Sequence, residues 1–160
     1  MKKLVNGALV DLTADEIAAR QAEEAANTPS LEAVKGSLRA RIDRDAELAR
    51  LRYITPGAGM AMTYQEKHAQ ARAVDAMGEA AANALSEVER TAQFPTLAAS
   101  VGIEANTLWA CAQLVIDKYE AWATISHVIE STRLTGKKAV GDAVDADAAR
   151  TAYSAVVWNV

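Results

Sequence analysis

The sequence predicts an all-α fold: an elongated helical bundle with one long central helix, preceded by a small N-terminal β-hairpin. Three observations predict it. First, Leu108, Ala112, Val115, Tyr119, Trp122, Ser126, Ile129 and Arg133 recur at spacings of 4, 3, 4, 3, 4, 3 and 4, which puts them on one helix face with a coiled-coil-like seam. Cys111, Leu114, Ile125 and Val128 widen that stripe, so the helix has neighbours on more than one side. From Asn106 to Leu134 such a rod runs about 45 Å. Second, Leu4-Val5 and Ala8-Leu9-Val10 flank Asn6-Gly7, the strongest two-residue hairpin signal. Third, the hydrophobic share is 51% while aromatics are only 5%, with alanine supplying much of the remainder. Alanine faces let helices approach closely but bury little area each, so lateral packing or oligomerisation would add to the stability of a lone chain.

In chain order, residues 3–11 form the hairpin, which is marginal alone and needs a helix or another chain to cover it. Thr13-Ala14-Asp15-Glu16 is a capping box opening a short helix to about Ala26, with Ile17 its only large apolar residue. Pro29 ends it. Ser30 caps a second helix from Leu31 to about Tyr53, whose apolar face is Leu31, Val34, Leu38 and Ile42, continued at Asp45 and Ala49. The opposite face alternates in sign, with Lys35, Arg39, Arg41, Arg44, Arg50 and Arg52 against Glu32, Asp43, Asp45 and Glu47. A solvated face is the plain reading, an interface helix the alternative.

Thr55-Pro56-Gly57-Ala58-Gly59 is the clearest break. It divides the chain into a hairpin-and-helix arm (residues 1–54), a hinge (55–59) and a C-terminal helical bundle (60–160). A third helix spans about Met60 to Ala92, with Thr63 and Glu66 as a capping pair and Gly78 weakening its middle. Phe94-Pro95 starts a short helix closed by Gly102. Asn106 caps the long helix, Gly136 is a candidate end or kink, and Asp145 or Asp147 caps a last helix carrying Ala149, Tyr153, Val156 and Val157.

Chemistry is sparse. His68 and His127 lie on different helices, and with one cysteine they make no metal-ligand spacing. Cys111, on the apolar side of the long helix, reads as a buried inert thiol. There is no nucleophile elbow. Gly136-Lys137 lacks the upstream glycine and following Ser/Thr of a phosphate loop, and Gly57 and Gly59 lack the rest of a dinucleotide fingerprint. No catalytic, metal or cofactor site is expected. A net charge of −4 argues against a nucleic-acid partner. No window reaches the ~18 apolar residues of a membrane span, and the apolar run of MKKLVNGALVDL is broken by Asn6, Gly7 and Asp11, a poor secretory signal. Trp109, Tyr119, Trp122, Tyr153 and Trp158 read as core anchors, with a subunit contact at Trp122 or Trp158 the alternative. The candidate partner contacts are therefore Leu4, Val5, Leu9 and Val10 on the hairpin, Leu31, Val34, Leu38 and Ile42 on the second helix, and Trp122 and Trp158.

Three stretches carry a resemblance. VNGALVDLTADEIAARQAEEA is similar to the start of many tailed-phage tail and tail-fibre-associated proteins. LRYITPGAGMAMTYQEKHAQA and FPTLAASVGIEANTLWACAQLVIDKYEAWATISHVIESTRLTGKKAV resemble small uncharacterised phage proteins encoded near tail genes. The resemblance implies a non-enzymatic structural component of a bacteriophage tail, at the tail tip, baseplate or fibre attachment. It would be a homo-oligomer made in the host cytoplasm, contacting other tail or fibre proteins in the virion. The alternative is a tail-fibre assembly chaperone not retained in the particle. A small helical enzyme would require His68 or His127 in a pocket beside a carboxylate.

Overall fold

The structure, a computed structural model, describes residues 1–5 and 7–160, with Val5 through its backbone alone. Asn6, the first residue of the expected turn, lies outside the described residues. Strands β1 (Lys2–Val5) and β2 (Ala8–Asp11) pair antiparallel, with Lys2 opposite Asp11 and Leu4 opposite Leu9. The fold is otherwise helical. Helix α1 (Ala14–Asn27) starts at the expected capping box: the Thr13 hydroxyl accepts from the Glu16 amide, and the Glu16 carboxylate accepts from the Thr13 amide at 3.0 Å. Helix α2 (Leu31–Arg50) is capped by Ser30, whose hydroxyl accepts from the Ala33 amide at 3.2 Å.

The expected third helix is three. Helix α3 (Ala58–Met77) ends at Gly78, α4 (Glu79–Ala84) follows, and α5 (Glu87–Gln93) begins at a new capping box made by Ser86 and Glu89. Gly78 sits at φ 85°, a left-handed conformation that residues with a Cβ avoid, so the helix turns there instead of merely weakening. Thr63 and Glu66 are not a cap. The helix starts earlier, at Gly57, and the Thr63 hydroxyl donates to the Gly59 carbonyl at 3.0 Å. Helix α6 (Pro95–Ala98) is short and is capped at Ala99 in a right-handed conformation, not by Gly102 as expected; Gly102, at φ 81°, turns the loop beyond it, its N–H donating to the Ala105 carbonyl at 2.7 Å.

Helix α7 (Leu108–Asp142) runs 35 residues, about 52 Å. Its cap is Thr107, whose hydroxyl accepts from the Ala110 amide at 3.1 Å, one residue beyond the expected Asn106. Nor does Gly136 end it. That glycine is buried, and a Cβ there would stand 2.7 Å from Val156 Cγ2 and 3.4 Å from Ile42 Cδ1. Its role is close packing. Helix α8 (Ala146–Ser154) is capped by Asp145.

Two cores form along α7. At its start Leu108, Cys111, Ala112 and Ile116 pack with Ala71 and Val74 of α3, Ala82, Phe94 and Leu97. At its end Val140 packs with Val34, Leu38 and Ile42 of α2 and Ala149 of α8, and Ile129 packs with Ala46 and Ala49. Helices α2 and α3 both run antiparallel to α7, one along each half: Arg50 pairs with Glu130 and Asp43 with Lys137, while Asp75 meets Gln113 and His68 meets Tyr119. Between them, no residue from 117 to 128 is buried. The expected single stripe is thus two patches separated by a waist, and Tyr119 within it is exposed. Helix α2 crosses the expected arm boundary by joining α7 and α8.

Two glycine substitutions test this packing in opposite directions. Gly36, within α2, has open space where a Cβ would go, so Gly36→Ala gains helix propensity and stabilises by up to ~1 kcal/mol. Gly136→Val overfills the α7 notch and destabilises by ~1–3 kcal/mol. Urea denaturation of both variants measures the two signs.

Candidate functional site

The described residues that lack a core of their own are the first twenty-eight. All four residues of β2 are exposed, and α1 buries none of its side chains. Leu4 and Leu9, directly opposite on one face of the hairpin, are 71% and 68% exposed. What holds the unit together is local. Leu12 N–H donates to the Met1 carbonyl, Lys3 pairs with Glu16, and the capping box fixes the first turn of α1. The Glu16 carboxyl is held below its usual value, first by the Lys3 hydrogen bond and then by the Thr13 amide. Thr28 closes the helix by donating to the Glu24 carbonyl at 2.8 Å, and Pro29 separates it from α2. Among their described side chains the hairpin and α1 bury almost nothing, and so short a unit does not offset its ordering entropy alone.

The sequence-expected contacts divide between arm and body. Leu4, Leu9 and Val10 are on the arm and exposed; the Val5 side chain lies outside the described residues. Leu31 is half-buried at the start of α2. Val34, Leu38 and Ile42 are buried inside the chain against Val140 and Ala149. Their expected role as partner contacts is corrected, since the same apolar face that suits a partner is taken by α7 and α8. Trp158 likewise folds back on both clusters of that end. Trp122 stays half-buried in the waist of α7, outside the buried clusters.

Polar groups in the body hold helices together. Asp43 accepts from Lys137 Nζ and Arg133 Nη1, each at 2.7 Å, and Arg133 also donates to Glu130, which accepts from Arg50 at 2.8 Å. Lys137 first, then Arg133, keep the Asp43 carboxyl below its ordinary value, and Arg133 does the same for Glu130. Arg133 itself is pushed up and stays charged. The Tyr153 hydroxyl donates to Asp45 at 2.8 Å under the Arg41 guanidinium, and that hydrogen bond raises its pKa. An open groove of about 280 Å³ beside it is lined by Leu48, Arg52, Val156 and Trp158. His68 stacks on Tyr119 with ring centroids 3.6 Å apart, and burial, then Arg72, lowers its proton affinity. Cys111 is buried, its thiol pushed up by burial. No group of three or more His, Cys, Asp or Glu side chains that could hold a metal ion occurs among the described residues.

This geometry defines a class: a helical body carrying an uncovered hairpin-helix arm. No helix among the described residues is long and apolar enough to cross a membrane. No protein-family model, no characterised protein and no solved structure matches the chain.

Two measurements check the electrostatics. Both Asp43 and Glu130 have depressed values when folded, so their contribution is present above the ordinary 3.8 and 4.5 and is lost as pH falls through the lower folded values. Arg133→Ala should raise Glu130 towards its ordinary value in an NMR carboxyl titration and move Asp43 less, because Lys137 remains; the accompanying stability loss at neutral pH should shrink in molar salt. Cys111 should react with a thiol reagent only in denaturant, and rapid labelling of the native chain would contradict its burial.

Proposed function

We propose that this chain is a non-enzymatic structural component of a bacteriophage tail, at the tail tip, baseplate or fibre attachment. It works through protein–protein contacts made by residues 1–28. The observation that carries this reading is the arm: two strands and a helix held in shape by caps and two ion pairs, Lys3–Glu16 and Arg20–Glu24, with Leu4 and Leu9 open to solvent. A partner that covers those exposed apolar side chains gives the arm the burial it lacks alone. The similarity of the VNGALVDLTADEIAARQAEEA segment to the start of phage tail and tail-fibre-associated proteins supplies the setting. Other tail or fibre proteins are the partners, and the chain is made in the host cytoplasm and carried in the virion.

The body supports the reading in a second way. Two of its cations, Arg133 and Lys137, bridge helices to Asp43, its thiol is buried, and Tyr153 is tied to a carboxylate. Nucleophilic catalysis calls for an accessible nucleophile beside a base, and Cys111 has no such setting.

Mass spectrometry of purified particles tests the proposal, alongside particles from a phage whose copy lacks residues 1–28. The expected result is a fixed copy number in the intact particle, lost on deletion of the arm. Absence from intact particles, combined with failed tail assembly when the whole gene is removed, would assign the chain to an assembly chaperone. Normal particles without it would overturn both readings.

A further inference from the structure

The two edges of the hairpin differ. Strand β1 carries Lys2 and Lys3, and lysines on an edge strand discourage pairing with another chain. Strand β2 presents Ala8, Leu9 and Val10 in a row, with no cation and no proline, and all of it is exposed. Inside the hairpin, the Leu12 N–H is bonded to the Met1 carbonyl. Since paired and unpaired residues alternate along an antiparallel strand, Ala8, Val10 and Leu12 spend their backbone groups inward. The N–H and C=O of Leu9 and Asp11 therefore point to the free edge.

We propose that the occupant of this edge is a second copy of the same chain, joined β2 to β2 in antiparallel register about a two-fold axis at Leu9. Leu9 of one copy then exchanges both backbone hydrogen bonds with Leu9 of the other. The register makes a four-stranded sheet in the order β1-β2-β2-β1. Because directly opposed residues share a face, Leu4 and Leu9 of both copies line up in one apolar row of four. Each Asp11 falls opposite Gly7 of the other copy, roughly 14 Å from its symmetry mate along the strands, beyond the ~8 Å Debye length at physiological salt. Pairing through β1 would instead set the four lysines on two adjoining central strands, where β2 pairing keeps them apart on the two outer ones. A two-fold contact of this kind closes on itself and leaves only the lysine-bearing edges outside. The proposal rests on the arm being the interaction element.

Sedimentation of the full chain at roughly 100 µM, high enough to populate a small interface, should give a particle of twice the chain mass. Leu9→Asp should return it to the single-chain mass with helical circular dichroism unchanged, since Leu9 contributes nothing to the body core. Val88→Asp, a change at a still more exposed position on α5, should leave the dimer intact. In a Cys111→Ser background, Leu9→Cys should form an interchain disulfide under air, whereas Val88→Cys should not. A monomer at that concentration, or a dimer that survives Leu9→Asp, overturns the pairing. The two proposals fail separately. If the chain is a monomer yet needs residues 1–28 to enter particles, self-pairing is wrong and the arm's tail role stands. If Leu9 holds a dimer while arm deletion leaves incorporation intact, self-pairing stands and the tail role of the arm does not.

Discussion

Burial of small and branched side chains against the two ends of α7 is the interaction on which the rest of the body depends. Leu108, Cys111, Ala112 and Ile116 gather α3 to α6 at one end; Ile129, Gly136 and Val140 gather α2 and α8 at the other. Neither patch is rich in large residues. Ile42, Leu97, Leu108 and Ile129 are the largest side chains that are fully buried, so close approach replaces bulk, and Gly136 is the sharpest instance. Dispersion contacts between tightly fitted small groups can stabilise such a core, but they tolerate added volume poorly. The ion network around Arg133 lies at the end where α2 returns along α7. It fixes which faces meet more than it adds to stability, because Asp43 and Glu130 remain over 40% exposed.

That arrangement explains why the arm is separate. The one apolar face of α2 is consumed by α7 and α8, and α1 offers alanines and Ile17 in place of a continuous stripe. No described residue of 1–28 belongs to a buried cluster of the body, and the hairpin and α1 keep their shape by capping and by the Lys3–Glu16 and Arg20–Glu24 pairs while Leu4 and Leu9 stay in water. Order with so little burial is marginal in isolation. The contrast is physical: the body is closed by its own side chains, and those of the arm stay in water.

Much of the helix pattern was legible in the sequence because caps and breakers act locally. Thr13 with Glu16, Ser30, Asp145 and the Asn6-Gly7 spacing announce their elements within four residues of themselves. Where a signal was ambiguous the shift was small, as from Asn106 to Thr107. Gly78 was visible as a weak point, but whether a glycine bends or ends a helix depends on the φ it adopts, here 85°, which residue type alone does not fix. The fate of Gly136 was hidden because its neighbours Val156 and Ile42 are distant in sequence. The α2 stripe was read correctly as apolar, while its occupant was not, since periodicity marks a face to be covered and is silent on which helix covers it. The waist escaped because Tyr119 and Trp122 keep the heptad rhythm although no buried residue lies from 117 to 128. On the arm, exposure of Leu4 and Leu9 followed from the hairpin's isolation and the lack of bulk in α1.

Hydrogen–deuterium exchange followed by mass spectrometry on the dilute chain tests most directly the claim that α7 is a spine shared by two cores beside an uncovered arm. Peptides from both ends of α7, and from α2 and α3 where they pack on it, should be the slowest to exchange. The α7 waist over residues 117–128 should be faster, and residues 1–28 fastest. Protection of the arm equal to that of α2, or uniform protection through the waist, would contradict the account.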